Sequence, residues 1–249
     1  AALETGFWQD RVFLTLAWYT NRSSNQLVGI PLPGTTGYSS INANLDATVA
    51  NKGVEVTLRT VNWNGSDFKW STNITLSAAR NTLVSFPGLA GSTFANRYVV
   101  GQPTSIVKVY EYQGVNPQTG LYEVADLNGD GLITAAGDKQ KVMDLTPEYF
   151  GAIQNQVQYK NWQLDFLFQF VKQQTNGYTP SAPNGYFFNQ SSALTNVWQQ
   201  AGDNATYQMP TSGQNSAAVT AFNRYMDSDA LIVDGSYIRL KNIAISYDV

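Results

Sequence analysis

The sequence predicts an all-β fold, an antiparallel transmembrane β-barrel segment carrying long extracellular loops. Three observations point there. A two-residue hydrophobic period runs through most of the chain. Connections between the periodic segments alternate strictly between short and long, and aromatic side chains gather at the segment ends.

The first segment, 6–20, sets Val12, Leu14, Leu16 and Trp18 against Arg11, Thr15 and Tyr19. The second, 51–63, opposes Val54, Val56 and Leu58 to Glu55, Thr57 and Arg59. In the third, 67–80, Phe68, Trp70, Thr72, Ile74 and Leu76 face away from Lys69, Ser71, Asn73, Thr75 and Ser77. The fourth, 148–160, alternates more weakly, with Ile153, Val157 and Tyr159 against Gln154, Gln156, Gln158 and Lys160. The fifth, 161–173, puts Trp162, Leu164, Phe166, Phe168 and Phe170 on one face and Asn161, Gln163, Asp165 and Gln169 on the other. The sixth, 236–248, is mixed on both faces. All of them exceed the roughly 5–6 residues of an average soluble strand. They suffice for the about 9–11 residues that a tilted strand needs to cross an outer membrane.

Between these segments, "WNGSD" at 63–67 and "YKNW" at 159–162 read as tight turns, whereas 22–50, 81–147 and 174–235 are long. Outer-membrane barrels show this alternation, with short periplasmic turns and long extracellular loops. Trp8, Phe68, Trp70, Tyr159, Trp162 and Tyr247 then mark the lower end, and Trp18, Tyr19, Tyr149, Phe150, Phe170 and Tyr237 the upper. Two such girdles suit rings that prefer the headgroup level. Trp63 departs from the pattern, since parity turns it inward. Six strands are too few to close a barrel, because bacterial ones begin at about eight. Either the loops hold more strands or the chain belongs to something larger.

Composition narrows the chemistry. Hydrophobic residues are 43% of the 249, enough for a core, and charged residues only 13%, about half the usual share. A net charge of −3 without Lys/Arg runs argues against nucleic acid. Without cysteine or histidine, disulfides, thiolate sites, Ser-His-Asp or Cys-His catalysis and histidine-bound zinc are excluded. Oxygen ligands remain, which favours calcium or magnesium. No apolar run of about 18 residues marks a transmembrane helix. The opening "AALETGFWQD" lacks the basic start and apolar core of a signal peptide.

Four segments carry a family likeness: "NANLDATVANKGVEVTLRT" (42–60), "FKWSTNITLSAARN" (68–81), "YEVADLNGDGLITAAGDK" (122–139) and "DGSYIRLKNIAISYDV" (234–249). In that order they resemble the C-terminal part of a SusC/RagA-type TonB-dependent outer-membrane transporter of Bacteroidetes. The resemblance covers residues 1–249 nearly whole. It implies a barrel of about 22 strands closed by an N-terminal plug, located in the bacterial outer membrane and paired with a SusD-like surface lipoprotein. It also implies import of oligosaccharides or peptides, driven through TonB by way of the plug. The partners so implied are that lipoprotein, the remaining N-terminal barrel and plug, TonB indirectly, and outer-membrane lipid. The plug, the TonB box and the early strands find no counterpart in the sequence, and about two further strands would be expected after "ISYDV".

Within 81–147 lies an EF-hand-like loop, with Asp126, Asn128 and Asp130 at positions 1, 3 and 5 and Gly131 at the sharp turn. Leu132 would offer its carbonyl, and Asp138 falls one residue beyond the usual twelfth position. The same residue types are ordinary turn formers. No helical pattern flanks the loop, so calcium here would stiffen it rather than signal. No other cofactor is expected. Residues 105–115 and 120–126 are expected to form a hairpin closed by "NPQT", placed to meet the lipoprotein. In 174–235, Tyr178, Tyr186, Phe187, Phe188 and Trp198 stand among Asn, Gln and Ser, a mixture suited to a sugar or a peptide. The alternative is that these rings pin the loop to its neighbours. Glu55, Arg59, Lys69, Asp165, Arg239 and Lys241 would face the barrel lumen, there lining a solute path or pairing with the plug.

The competing reading is a soluble secreted β-sandwich that binds carbohydrate with a calcium-stabilised loop. An enzyme is not expected: Asp and Glu are too scattered to nominate the acid and nucleophile of a glycoside hydrolase.

Overall fold

A computed structural model of the chain describes every residue except Phe188 and Ala193, and the side chains of all but Val28, Ile30 and Pro31 among the rest. In chain order the strands and helices are β1 (Ala2–Phe7), β2 (Val12–Pro31), β3 (Ser40–Asn64), β4 (Phe68–Ser85), β5 (Ile106–Val109), β6 (Tyr112–Val115), β7 (Tyr122–Val124), α1 (Ala135–Asp138), β8 (Lys141–Asp144), β9 (Tyr149–Tyr159), β10 (Trp162–Lys172), β11 (Gln174–Asn176), α2 (Ser216–Met226), β12 (Ile232–Asp234) and β13 (Tyr237–Tyr247). They divide into two units. One comprises Ala1–Ser105, Thr146–Gln173 and Ser236–Val249, the other Ile106–Leu145 and Gln174–Gly235.

The first unit is a single antiparallel sheet of seven strands in the order β1-β2-β3-β4-β9-β10-β13. Partners directly opposite one another in an antiparallel ladder share a face, so the register shows which side chains travel together. One row runs Leu14, Leu58, Ile74, Ile153, Phe168, Leu240. The row on the opposite face reads Thr15, Thr57, Thr75, Ala152, Gln169, Arg239. At one end of the apolar face Phe68, Tyr159, Trp162 and Tyr247 stand side by side, with Trp162 and Tyr247 in contact at 4.8 Å between ring centroids. The sandwich reading fails here, because this unit holds one sheet and not two. The fold is an antiparallel β-barrel segment.

The sheet corrects several expectations. Residues 6–20 are not one strand: β1 and β2 form a hairpin, and Trp8, Gln9 and Asp10 turn the chain with φ of 53°, 56° and 61°. That left-handed turn contains no Gly or Pro, which is why the sequence conceals it. Residues 22–50 are mostly strand, since β2 and β3 pair as far as Pro31 and Ser40. With 25 residues, β3 is about 80 Å long at roughly 3.3 Å per residue. Trp63 is not turned inward. A register shift between Val61 and Trp63 brings it opposite Trp70, and a bulge changes the face a side chain takes. Conversely, Tyr19, Phe150 and Tyr237 leave the proposed girdle. They lie in register with Gly53, Ser77 and Val171, on the polar face.

The second unit forms within the predicted loops 81–147 and 174–235. Its small core joins Tyr122 to Ala221 and Phe222 of α2, with Tyr112, Val115, Leu121, Tyr225 and Met226 packed around them. The expected hairpin forms only in part. β6 pairs with β7, but β5 pairs with β8 across the acidic loop. Helix α2 was not legible as helical. Asn215 caps it by accepting from the Ala218 N–H at 3.1 Å.

Candidate functional site

The polar face of the sheet collects the predicted inward charges. Glu55, Arg59 and Asp165 follow the polar rows directly, and Lys69 and Arg239 join them through Gln158 and Gln169. Lys241 sits at the register shift opposite Leu167 and Phe168. It lines a broad hollow of about 510 Å³ together with Glu55, Thr57, Thr75 and Gln169. None of the six charges forms a salt bridge among the described residues. Asp165 accepts from the Gln163 amide at 2.6 Å, and the Arg239 guanidinium lies over the Tyr237 ring. Unpaired charges on one face need water. The other face exposes Leu16, Trp18, Ile243 and Ile245, where water is unfavourable.

In the second unit the predicted aromatic residues do not form one platform. Tyr178, largely exposed, borders a cavity of about 140 Å³ with Tyr122, Tyr207, Phe222, Tyr225 and Asn184. Tyr186 pairs with Phe187 at 4.4 Å, and its ring occupies the space a side chain at Gly213 would need. Trp198 is a staple: it covers Gly120, whose φ of +69° only glycine adopts freely, and donates to the Pro117 carbonyl at 2.9 Å. Phe188 lies outside the described residues. The cavity rests on Tyr122 and Tyr225, stacked at 4.2 Å with Tyr112 against both. Burial, then the neighbouring Tyr225, pushes the Tyr112 hydroxyl up to about 12 and raises that of Tyr122 as well. Sequence reasoning missed Tyr122, Tyr207, Phe222 and Tyr225. Nothing local announces residues that meet from two separate insertions.

The acidic loop closes on itself. Asp126 accepts from the N–H groups of Gly129 and Gly131 at 2.7 and 2.8 Å, and Asp130 from that of Leu132 at 2.8 Å. Asn128 accepts from the Asp130 N–H and donates to its carboxylate. Asp138 is fully buried. The N–H of Thr134 at 2.7 Å, and then that of Leu127 at 2.8 Å, hold its carboxyl below the ordinary range against the opposing effect of burial. From outside, Arg224 of α2 donates to the Ile133 carbonyl, and Lys139 pairs with Asp227 at 2.7 Å. The donors are hard oxygens, as calcium requires, and each carboxylate oxygen keeps lone pairs beyond those its N–H partners use. Among the described residues, however, no three acidic groups converge on one metal position. A cation would rely on Asp126 and Asp138, supplemented by Asn128, Asp130 and the Leu132 carbonyl.

No protein-family model matches the chain. TonB-dependent receptor P26 of Formosa agariphila is 28% identical over 279 residues, covering 100% of this chain and 27% of the receptor. TonB-dependent receptor P3 of the same organism is 27% identical over 274 residues, covering 99% and 26%. The chain therefore spans about a quarter of the length of the curated relatives it matches. Among solved structures, the RagAB peptide transporter matches with a TM-score of 0.78 at 20% identity, over 99% of this chain and 28% of that one. The RagAB peptide importer in its open-open state matches at 0.75 and 19%, over 99% and 27%. These relatives are named as receptors and transporters. Both in sequence and in fold, the chain resembles the C-terminal part of a SusC/RagA-type TonB-dependent transporter.

Proposed function

We propose that this chain is a stretch of barrel wall in a TonB-dependent importer of the bacterial outer membrane, which takes up oligosaccharides or peptides. The observation that carries the proposal is the two-sided sheet. A mostly apolar face with an aromatic edge, interrupted only by a patch of Thr60, Asn62, Thr72 and Asn155 that bond one another, is backed by a face whose six charges have no ion-pair partner among the described residues. Lipid suits the first face and a wet lumen the second. Glu55, Arg59, Lys69, Asp165, Arg239 and Lys241 then line the solute path or meet the plug.

In this reading the second unit stands outside the cell, where a SusD-like lipoprotein would meet it. Tyr178 and the rings beside it are the candidate solute contacts, while Trp198 is structural. The acidic loop takes a stiffening role, with calcium held by Asp126, Asp138 and their neighbours. The rest of the barrel, its plug and, through the plug, TonB complete the machine.

The deciding experiment is to extract the native protein in detergent and determine its subunit composition by intact mass. The expected result is an assembly in which this sequence accompanies a plug and a surface lipoprotein. A lone species that is monodisperse in plain buffer overturns the proposal.

A further inference from the structure

Where β2, β3 and β4 run past the length needed to cross a membrane, a second cavity opens on the sheet. It measures about 270 Å³, just under the roughly 300 Å³ at which ligand pockets usually begin. Its floor is a chain of amides: Asn81 donates to Asn51 at 2.6 Å and accepts from both the N–H and the hydroxyl of Thr104 at 3.0 and 2.7 Å. Asn51 and Asn81 lie opposite one another, four residues from Glu55 and Ser77, with no register shift between. The cavity therefore opens on the polar face. Its wall is the segment that folds back after β4, anchored by Leu83, whose N–H donates to Gln102 and whose carbonyl accepts from Gly101. That segment contributes Phe86 and Tyr98, braced through Phe94 at 5.9 and 5.8 Å. Register shifts at Ser24/Gln26 in β2 and Thr48/Val49 in β3 lie at this level, and such bulges bend a strand.

We infer that this cavity is a subsite for a single neutral sugar ring. No charged side chain lines it, and the nearest cation recorded against its wall, Arg97, lies over the Tyr98 ring at 5.2 Å. The lining itself therefore supplies neutral donors and acceptors and no full charge to select a carboxylate or an ammonium. The amide of Gln26 makes no hydrogen bond among the described residues, nor does the Nδ2 of Asn51 or the hydroxyl of Tyr98, and all three border the cavity. A pyranose presents C–H groups on its faces and hydroxyls at its rim. These match an apolar wall of Phe86, Tyr98 and Leu83 set against an amide floor. A peptide is the poorer fit. It binds a sheet through a free strand edge, yet here Asn51 lies on a strand paired on both sides, and the N–H and carbonyl of Leu83 are taken. The inference rests on the importer reading for its setting, as a site on the lumen face above the membrane, but not for its chemistry.

The test is ligand-observed saturation-transfer NMR on the full-length protein in detergent. The probes are glucose, galactose, mannose, xylose, fucose and N-acetylglucosamine, with an amidated alanine tripeptide beside them. At least one sugar should draw saturation, strongest on its ring C–H protons. Tyr98→Ala should abolish that signal. Gln26→Ala, at an exposed side chain with no bond of its own to lose, should weaken affinity about fivefold, the worth of one neutral hydrogen bond. Ser66→Ala, in the far turn, should leave it unchanged. The inference is overturned if no sugar signal responds to both cavity variants, or if the tripeptide gives the response instead. Failure here with an intact detergent-extracted assembly removes the subsite and leaves the importer reading standing. A detergent-free monomer removes the importer reading whatever the sugars do.

Discussion

Gly151 shows how far a single position can matter in a one-layer sheet. It lies on β9 between β4 and β10, and a Cβ there would overlap the Thr75 carbonyl oxygen and crowd the Phe170 ring at 2.6 Å. The obstructing atom is backbone, held in a ladder, so it cannot yield. Gly151→Ala should cost about 1–3 kcal/mol, as overpacking does, read as a lower denaturant midpoint for the full-length protein in detergent. Gly53→Ala should cost less, because its obstacle is the tip of the Tyr19 ring, which can swing away. Neither effect was legible in the sequence. A glycine in a strand announces a close approach or a weakness, but what approaches it depends on neighbouring strands, which bring residues as distant in the chain as Thr75 against Gly151. Charge placement, by contrast, was legible. Parity alone put Glu55, Arg59 and Asp165 on one face, and the register keeps them there.

At the scale of the element, the two faces of β2 and β3 make opposite predictions. Leu16→Arg puts a guanidinium in the aliphatic row between β1 and β3, next to Leu3 and Val56. It should cost about 2–4 kcal/mol if that row meets lipid near the midplane, seen as loss of folded protein in the outer-membrane fraction. Thr57→Arg, on the polar row, should leave that yield nearly unchanged. Equal losses from both would contradict the two-solvent sheet. The acidic loop supports a second prediction. Calcium should raise the melting temperature of the wild type, and Asp126→Asn should remove that rise, with differential scanning calorimetry in calcium against chelator as the readout. A melting temperature indifferent to calcium in the wild type would reduce the loop to a self-bonded turn. Elements built on a regular period were readable in advance. The hairpin at 8–11 and the N-capped α2 were not, the first for want of a glycine or proline, the second because its apolar face is short.

At the scale of the whole molecule, the second unit has its own pH signature. Burial lifts the Tyr112 hydroxyl from 10.0 to about 12, and a hydrogen bond to Asp229 lifts Lys141 above 10.5. A folded-state pKa above the unfolded one means that the folded state holds its proton longer, so stability falls as pH rises. These contributions are complete below about pH 10 and disappear as pH climbs through the raised values. Near-ultraviolet circular dichroism of the tyrosine cluster should therefore hold steady through neutral pH and collapse above pH 10. Tyr112→Phe should delay the collapse.

Residues 106–145 of the segment that read as a loop over 81–147 join the loop 174–235 to form this unit, and the tyrosine stack at its centre joins residues 122 and 225. No window of sequence contains both. The two-residue period is a property of the extended backbone itself, so the sequence alone determined that the chain forms long strands with one aliphatic and one polar face. Which strands pair, where bulges turn Trp63 to the other face, and that two insertions meet in one core were decided by the tertiary structure. The physical reason is that ladder hydrogen bonds and ring stacking act between residues far apart in the chain, and no local pattern records them.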